Sequence, residues 1–265
     1  MVRQVMAHLI HSRHYRIAHL IMALAIAGVA LGADTALQVD PIPASSADSE
    51  FQFVRLAYSS GMNFGRRQRW LTDWPEAEEH LLGGVHRLTR VRAGTEGQQV
   101  AIMDDNLFDH PWLYAVEVGS WVLDDTEAAR LRDYLLRGGF LVVDDFHGTR
   151  EWAGFVASMQ RVFPDRPIVD ISMNDPVFHV VYDLEDRVQI PGIIVLSTGV
   201  TYERDGYTPQ WRGIYDDQDR LMVVINFNMD LGDGWEHADT PEYSLQYTTR
   251  AYQYAINYIV YAMTH

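Results

Sequence analysis

Apolar positions along the chain change period several times, and the changes divide it into alternating strand and helix. Phe51 to Tyr58 (FQFVRLAY) alternates and is rich in β-formers, which predicts a first strand. After a polar loop through Asn63 and Arg66 to Arg69, Thr72-Asp73-Trp74-Pro75-Glu76 announces a helix that runs to about Leu88. Asp73 or Thr72 can cap it, Pro75 suits its first turn, and Glu76, Glu78 and Glu79 complement the positive end of its dipole. Gln99 to Met103 and Leu113 to Val118 read as strands. Asp124-Asp125-Thr126 caps a helix whose Leu131, Leu135 and Leu136 recur at helical spacing, and Gly138-Gly139 ends it in the left-handed manner. Phe140 to Val143 (FLVV) has the unbroken apolar character of a strand buried on both faces. A helix over about Arg150 to Val162 follows, with Trp152, Phe155, Val156 and Met159 on one side. Ile168 to Ile171, Ile193 to Leu196 and Leu221 to Phe227 are further strand candidates, and a helix from Leu245 to Met263 closes the pattern. Such alternation predicts an α/β fold with a largely parallel sheet covered by helices.

The N-terminus has a different logic. Arg3, Arg13 and Arg16 precede an uncharged apolar run, Leu20 to Leu31, that is shorter than the roughly 20 residues a membrane-crossing helix needs. Small residues at Ala30-Leu31-Gly32 complete the layout of a signal peptide over residues 1–32, with an uncleaved N-terminal anchor as the competing reading. The domain is accordingly expected to be exported to the periplasm or the exterior, with no membrane span once the signal is removed. Residues 33–50, ending in the proline- and serine-rich Asp40 to Glu50, read as a linker. The 215 residues from Phe51 onward suffice for one α/β domain with its own core.

Composition narrows the chemistry. Loss of residues 1–32 leaves 18 basic residues against 36 acidic ones, a net charge of −18, so nucleic acid and anionic membranes are poor partners. All 21 basic residues are arginine, and there is no cysteine. Without cysteine there is no thiol nucleophile, disulfide, thiolate zinc site or iron–sulfur cluster. Without lysine there is no pyridoxal-phosphate Schiff base and no Walker loop for ATP.

In open parallel sheets, ligands bind beyond the carboxyl ends of the strands. Two predicted strands here end in acid pairs, Asp104-Asp105 and Asp144-Asp145, and a later one runs into Asn228-Met229-Asp230. Asp145 is followed by Phe146-His147-Gly148, which sets an imidazole beside that edge. Asp145 and His147 are therefore the candidate catalytic pair for general acid/base work. Asp104, Asp105, Asp144, His179, Asn228, Asp230 and Trp235 are candidate ligand-binding residues. Oxygen and nitrogen donors of this kind also suit a divalent cation, although no His-Glu-x-x-His motif is present. Leu231 to Glu236 (LGDGWE) reads as a glycine-spaced acidic loop with an exposed-type tryptophan, which could hold calcium although it lacks the carboxylate alternation of an EF-hand. A structural role as helix caps competes for every one of these aspartates. No Gly-x-Ser-x-Gly elbow surrounds Ser59, Ser60, Ser120 or Ser197.

Six blocks occur in an order that carries a family likeness. They are Arg55 to Tyr58, Asn106 to Pro111, Leu131 to Asp145, Asp175 to His179, Asn228 to Glu236 and Ile256 to Met263. In this respect the chain resembles the bacterial domain of unknown function 4159. The resemblance implies a flavodoxin-like, three-layer α/β/α sandwich of the class I glutamine amidotransferase type. In active amidotransferases a cysteine occupies the sharp turn after a central strand, and the comparable turn here, Asp144 to Gly148, has none. Three functional expectations follow. The first is an exported binding domain for a small molecule, glycan or envelope protein at the carboxyl edge, for which an aromatic-lined pocket near Trp235 and His147 is expected. The second is an extracytoplasmic hydrolase acting through Asp145 and His147, with or without a metal. A purely structural subunit of an envelope assembly is a third.

Overall fold

The computed structural model describes residues 49–60 and 68–265, which belong to one compact unit, Ile42–His265. The expected signal peptide and all of the linker except Ser49 and Glu50 lie outside the described residues. In chain order the strands are β1 (Val54–Ala57), β2 (Gln98–Ala101), β3 (Trp112–Val116), β4 (Phe140–Asp144), β5 (Val169–Asp170), β6 (Gln210–Tyr215) and β7 (Leu221–Phe227). The α-helices are α1 (Glu76–Leu88), α2 (Asp125–Leu136), α3 (Gly148–Val162), α4 (Val195–Thr198), α5 (Leu231–Glu236) and α6 (Leu245–Thr264). None of the helices among the described residues is long and apolar enough to cross a membrane.

The strands form one seven-stranded sheet in the order β2-β1-β3-β4-β7-β6-β5. The first five run parallel, and β6 is antiparallel to both β7 and β5. Helices cover both faces. Phe140 and Val142 of β4 face a core shared with α1, α5 and α6, while Leu141 and Val143 face one shared with α2 and α3. That double burial explains the unbroken apolar run of β4. A capping box starts α2: Asp124 accepts the N–H of Thr126 and Glu127, and Glu127 returns a bond to the Asp124 N–H.

Several expectations need correction. The apolar run Ile193 to Leu196 is not a strand but leads into the single turn of α4, with Ile194 and Leu196 exposed. Asp73 does not cap α1. It sits at φ 64, and Pro75, which has no capping side chain, precedes the first helical residue. Leu231 to Glu236 is helix α5 rather than a loop, and β6, whose polar flanks hid it, adds an antiparallel strand.

Candidate functional site

Three neighbouring parallel strands end alike. Immediately after β3, β4 and β7 stand Glu117, Asp145 and Asn228, at φ 55, 47 and 62, each a non-glycine residue in the left-handed region. Such a conformation costs about 1–2 kcal/mol per residue, so surrounding bonds must impose it. They do: Asp145 N–H donates to Met229 O and Asn228 N–H to Phe146 O, both at 3.1 Å, lacing the turns after β4 and β7 together. The Asn228 side chain extends the lacing, accepting Gly148 N–H at 2.9 Å and donating to Thr208 O at 2.7 Å.

Onto this frame the chain loads aspartates. Asp144, the last residue of β4, is fully buried. Its Oδ2 accepts the Tyr114 hydroxyl at 2.8 Å and the Leu231 and Gly232 N–H groups at 2.7 and 3.1 Å, while Oδ1 has no partner. Burial pushes this acid up to about 7 despite those donors. Asp230 caps α5 by accepting Asp233 N–H at 2.8 Å, and Asp233 in turn accepts Ile193 N–H. Asp73 arrives from the loop ahead of α1, its Oδ2 buried and without a donor. Asp73, Asp230 and Asp233 each bring a carboxylate oxygen to a group within 4.8 Å of one another. Two unit charges about 5 Å apart repel by roughly 3 kcal/mol at an effective dielectric of about 20. Burial first, and the neighbouring carboxylates second, hold Asp73, Asp145 and Asp230 well above the ordinary range.

Around these aspartates lies a ring of glutamates that have arginines of their own. Glu78 pairs with Arg55, Glu117 with Arg69, and Glu151 with Arg204 at 2.9 Å. No such arginine pair reaches Asp73, Asp144, Asp145, Asp230 or Asp233 among the described residues. His147 is buried, and its Nε2 lies 3.1 Å from Asp145 Oδ1, its N–H donates to Glu151 at 2.7 Å, and its Nδ1 has no partner. Burial lowers its pKa, so at neutral pH it is an uncharged imidazole with one nitrogen unengaged.

The segment 189–206 covers the edge. Asp230 N–H donates to Ile190 O at 2.9 Å, Gln189 to Asn228 O at 2.9 Å, the Tyr243 hydroxyl to Pro191 O at 2.5 Å, and Thr149 to Asp205 at 2.7 Å. Gly192 packs closely there: a Cβ on it would lie 2.9 Å from Glu203 Oε1, 3.0 Å from Asp230 Oδ2 and 3.1 Å from Asp233 Oδ2.

Of the residues singled out in the sequence, Asp144, Asp145, His147, Asn228 and Asp230 come together here. Asp104 and Asp105 do not: both are exposed after β2, three strands from β4 and hence about 14 Å along the sheet. Asp104 accepts the Ala101 N–H at 2.8 Å, a local structural bond. His179 bonds Met173 O at 2.6 Å and Asp183 at 3.1 Å, and no bond ties it to the edge. Trp235, expected to be exposed, is 1 % exposed, because α5 turns it into the core against Tyr114 and Phe53. Trp235 is thus buried away from any surface pocket it was expected to line, and a cavity of about 620 Å³ between α1 and α6 is lined by none of the edge aspartates. The sequence reading missed Asp73, Glu117, Glu151, Glu203 and Arg204. Asp233, three residues after Asp230 and within the acidic glycine-spaced stretch, carried a visible signal.

Comparison with curated proteins returns no match. A family model, described as a domain of unknown function, matches residues 52–263, from just before β1 to near the end of α6. All of the edge aspartates fall within that span, and the chain belongs to the DUF4159 family.

Proposed function

We propose that the protein is an exported binding domain whose ligand is small and sits at the carboxyl edge of the sheet, beneath segment 189–206, offering positive charge or hydroxyl donors to the aspartates. The observation that carries this reading is the set of buried and partly buried carboxylates that have no arginine partner among the described residues, two of whose oxygens, Asp73 Oδ2 and Asp144 Oδ1, are buried without a donor. Buried polar atoms cost free energy unless bonded, and a ligand bearing charge or O–H groups supplies what they lack. The cover supports a small ligand over a long glycan. The strand order 2-1-3-4-7 supports the flavodoxin-like sandwich suggested by the family likeness, whose ligands bind at this edge. The chain has no cysteine, in the turn after β4 or elsewhere, so thiol chemistry is not part of the reading.

The test is thermal unfolding of the purified chain with spermidine, glucosamine, N-acetylglucosamine and divalent cations as probes. At least one probe is expected to raise the midpoint in a saturable way, and aspartate-to-asparagine variants at the edge are expected to diminish the rise. If no probe moves the midpoint, or every response survives in those variants, the reading is wrong.

One observation favours a second reading, hydrolysis. Asp145 and His147 are in hydrogen-bond contact at 3.1 Å while His147 Nδ1 is unengaged, an arrangement suited to activating water. Hydrolysis of p-nitrophenyl esters or phosphates that survives in His147→Ala would exclude that role for the pair.

A further inference from the structure

We propose that Asp73, Asp230 and Asp233 form a binding site for one hard divalent cation of the Ca²⁺ or Mg²⁺ type. This rests on the carboxyl edge being the ligand site, and it names the ligand's chemistry. Three observations converge. The three residues come from two separate stretches of chain, yet each offers a carboxylate oxygen within 4.8 Å of the other two. All of these donors are oxygens, the preference of hard cations and not of thiolate- or imidazole-seeking metals.

The second observation lies outside the trio. Asp144 is fully buried and its carboxylate is fixed against the turn that carries two of the ligands. Its Oδ2 takes the N–H groups of Leu231 and Gly232, the residues between Asp230 and Asp233, and its Oδ1 is left without any partner. Asp144 is not one of the three ligands, but its fixed carboxylate adds a fourth acidic group behind the turn that carries Asp230 and Asp233. Asp73 Oδ2 repeats the pattern, buried and without a donor against Gly232.

The third is room. Gly192 and Gly232 flank the trio: a Cβ at Gly232 would overlap Asp73 Oδ2, and one at Gly192 would press on Asp230 Oδ2 at 3.0 Å and Asp233 Oδ2 at 3.1 Å. Glycine at both places leaves the carboxylates able to converge on an ion. A neighbouring group, Asp233 with Glu236 and His237, also has metal-ligand spacing, but its imidazole suits zinc, and it has one buried member where the trio has two.

The experiment uses the full chain, stripped with chelator, dialysed, and titrated separately with CaCl₂, MgCl₂ and ZnCl₂ by calorimetry and thermal unfolding. One saturable equivalent of Ca²⁺ or Mg²⁺ is expected, with a rise in the unfolding midpoint. Asp73→Asn and Asp233→Asn are each expected to weaken binding by about tenfold or more, since each removes a charged ligand. Asparagine tolerates the φ of 64 at position 73, so the cation-free Asp73→Asn protein should unfold no earlier than the parent, which separates a lost ligand from a lost fold. The proposal is overturned if neither Ca²⁺ nor Mg²⁺ binds, or if binding survives both variants. It is equally overturned if Zn²⁺ is preferred and its binding depends on His237 rather than Asp73, which would assign the neighbouring group. Failure here together with a response to spermidine or a sugar that the edge variants abolish would leave the binding reading standing. Silence from every probe would remove both.

Discussion

Two buried acidic regions lie side by side in this molecule and are built on opposite principles. At Glu78 the charge is answered by an arginine within the fold, although one of its oxygens, Oε2, is buried without a partner. Arg55, itself fully buried, donates Nε to Glu78 and Nη1 to the Trp70 and Thr72 carbonyls, and its guanidinium stacks 5.3 Å from the Tyr114 ring. At Asp73, Asp144, Asp145, Asp230 and Asp233 the charge is gathered and left unanswered by any arginine pair among the described residues. Both regions touch Tyr114, whose ring carries Arg55 and whose hydroxyl serves Asp144. A fold that can bury an arginine to neutralise one carboxylate has the means to neutralise others. That it surrounds the aspartates with paired glutamates and gives the centre no arginine among the described residues marks the centre as a place for something from outside.

The largest effect should come from breaking the answered pair. Arg55→Met keeps most of the packing and strands Glu78 in the core, which should cost about 3–5 kcal/mol in urea unfolding. The double variant Arg55→Met, Glu78→Met should recover most of that loss. A single variant costing under about 1 kcal/mol would show that Glu78 is not held by its arginine, and the contrast between the regions would lapse.

The unanswered region should respond with the opposite sign. Asp144 titrates near 7 in the fold against 3.8 for the free side chain, so the native state keeps a proton that the unfolded chain has released. Stability of the cation-free protein should therefore fall as pH rises from about 4 to about 7, and the upward shifts of Asp145 and Glu151 act in the same direction. His147 opposes this: with its pKa lowered, it costs stability as pH falls below about 6.5. At pH 8, Asp144→Asn should stabilise the chelator-treated protein by about 2 kcal/mol, since asparagine can retain an acceptor for Tyr114 and the two backbone N–H groups without the charge. Destabilisation, or a stability that climbs between pH 5 and 7, would mean that the aspartates are neutralised after all.

How much of this contrast could be read from the chain follows from how local each part is. β4 and its acid pair were legible because burial on both faces writes an unbroken apolar run, and α2 because its capping box is contiguous. Ile193 to Leu196 misled because four apolar residues have no period to distinguish a strand from a helical turn. The glycines of α5 looked like loop signals but mark close packing, since a Cβ at Gly234 would lie 2.6 Å from the Ala251 methyl on α6. That error carried another with it, because a helix rather than a loop decides that Trp235 points into the core. Asp73 was invisible as a site residue for a different reason. In sequence it is a cap ahead of a helix, and only the return of the chain after β7, more than 150 residues later, gives it carboxylate neighbours.

The smallest expected effect tests the gradient between the two regions. Arg204 pairs with Glu151 at 2.9 Å, but its side chain is 43 % exposed while that of Glu151 is 3 % exposed. Solvent thus screens one partner, and Glu151 also keeps the His147 N–H, so Arg204→Gln should cost about 1 kcal/mol or less. Arg204 also belongs to segment 189–206, and the pair is one of the bonds holding that cover to α3. The variant should therefore speed amide exchange within 189–206 more than it lowers global stability. If instead Arg204→Gln proved as damaging as Arg55→Met, Glu151 would be as dependent on its arginine as Glu78 is. Exposure would then not be what grades these ion pairs, and the aspartates' lack of arginines would lose its value as a sign of a ligand.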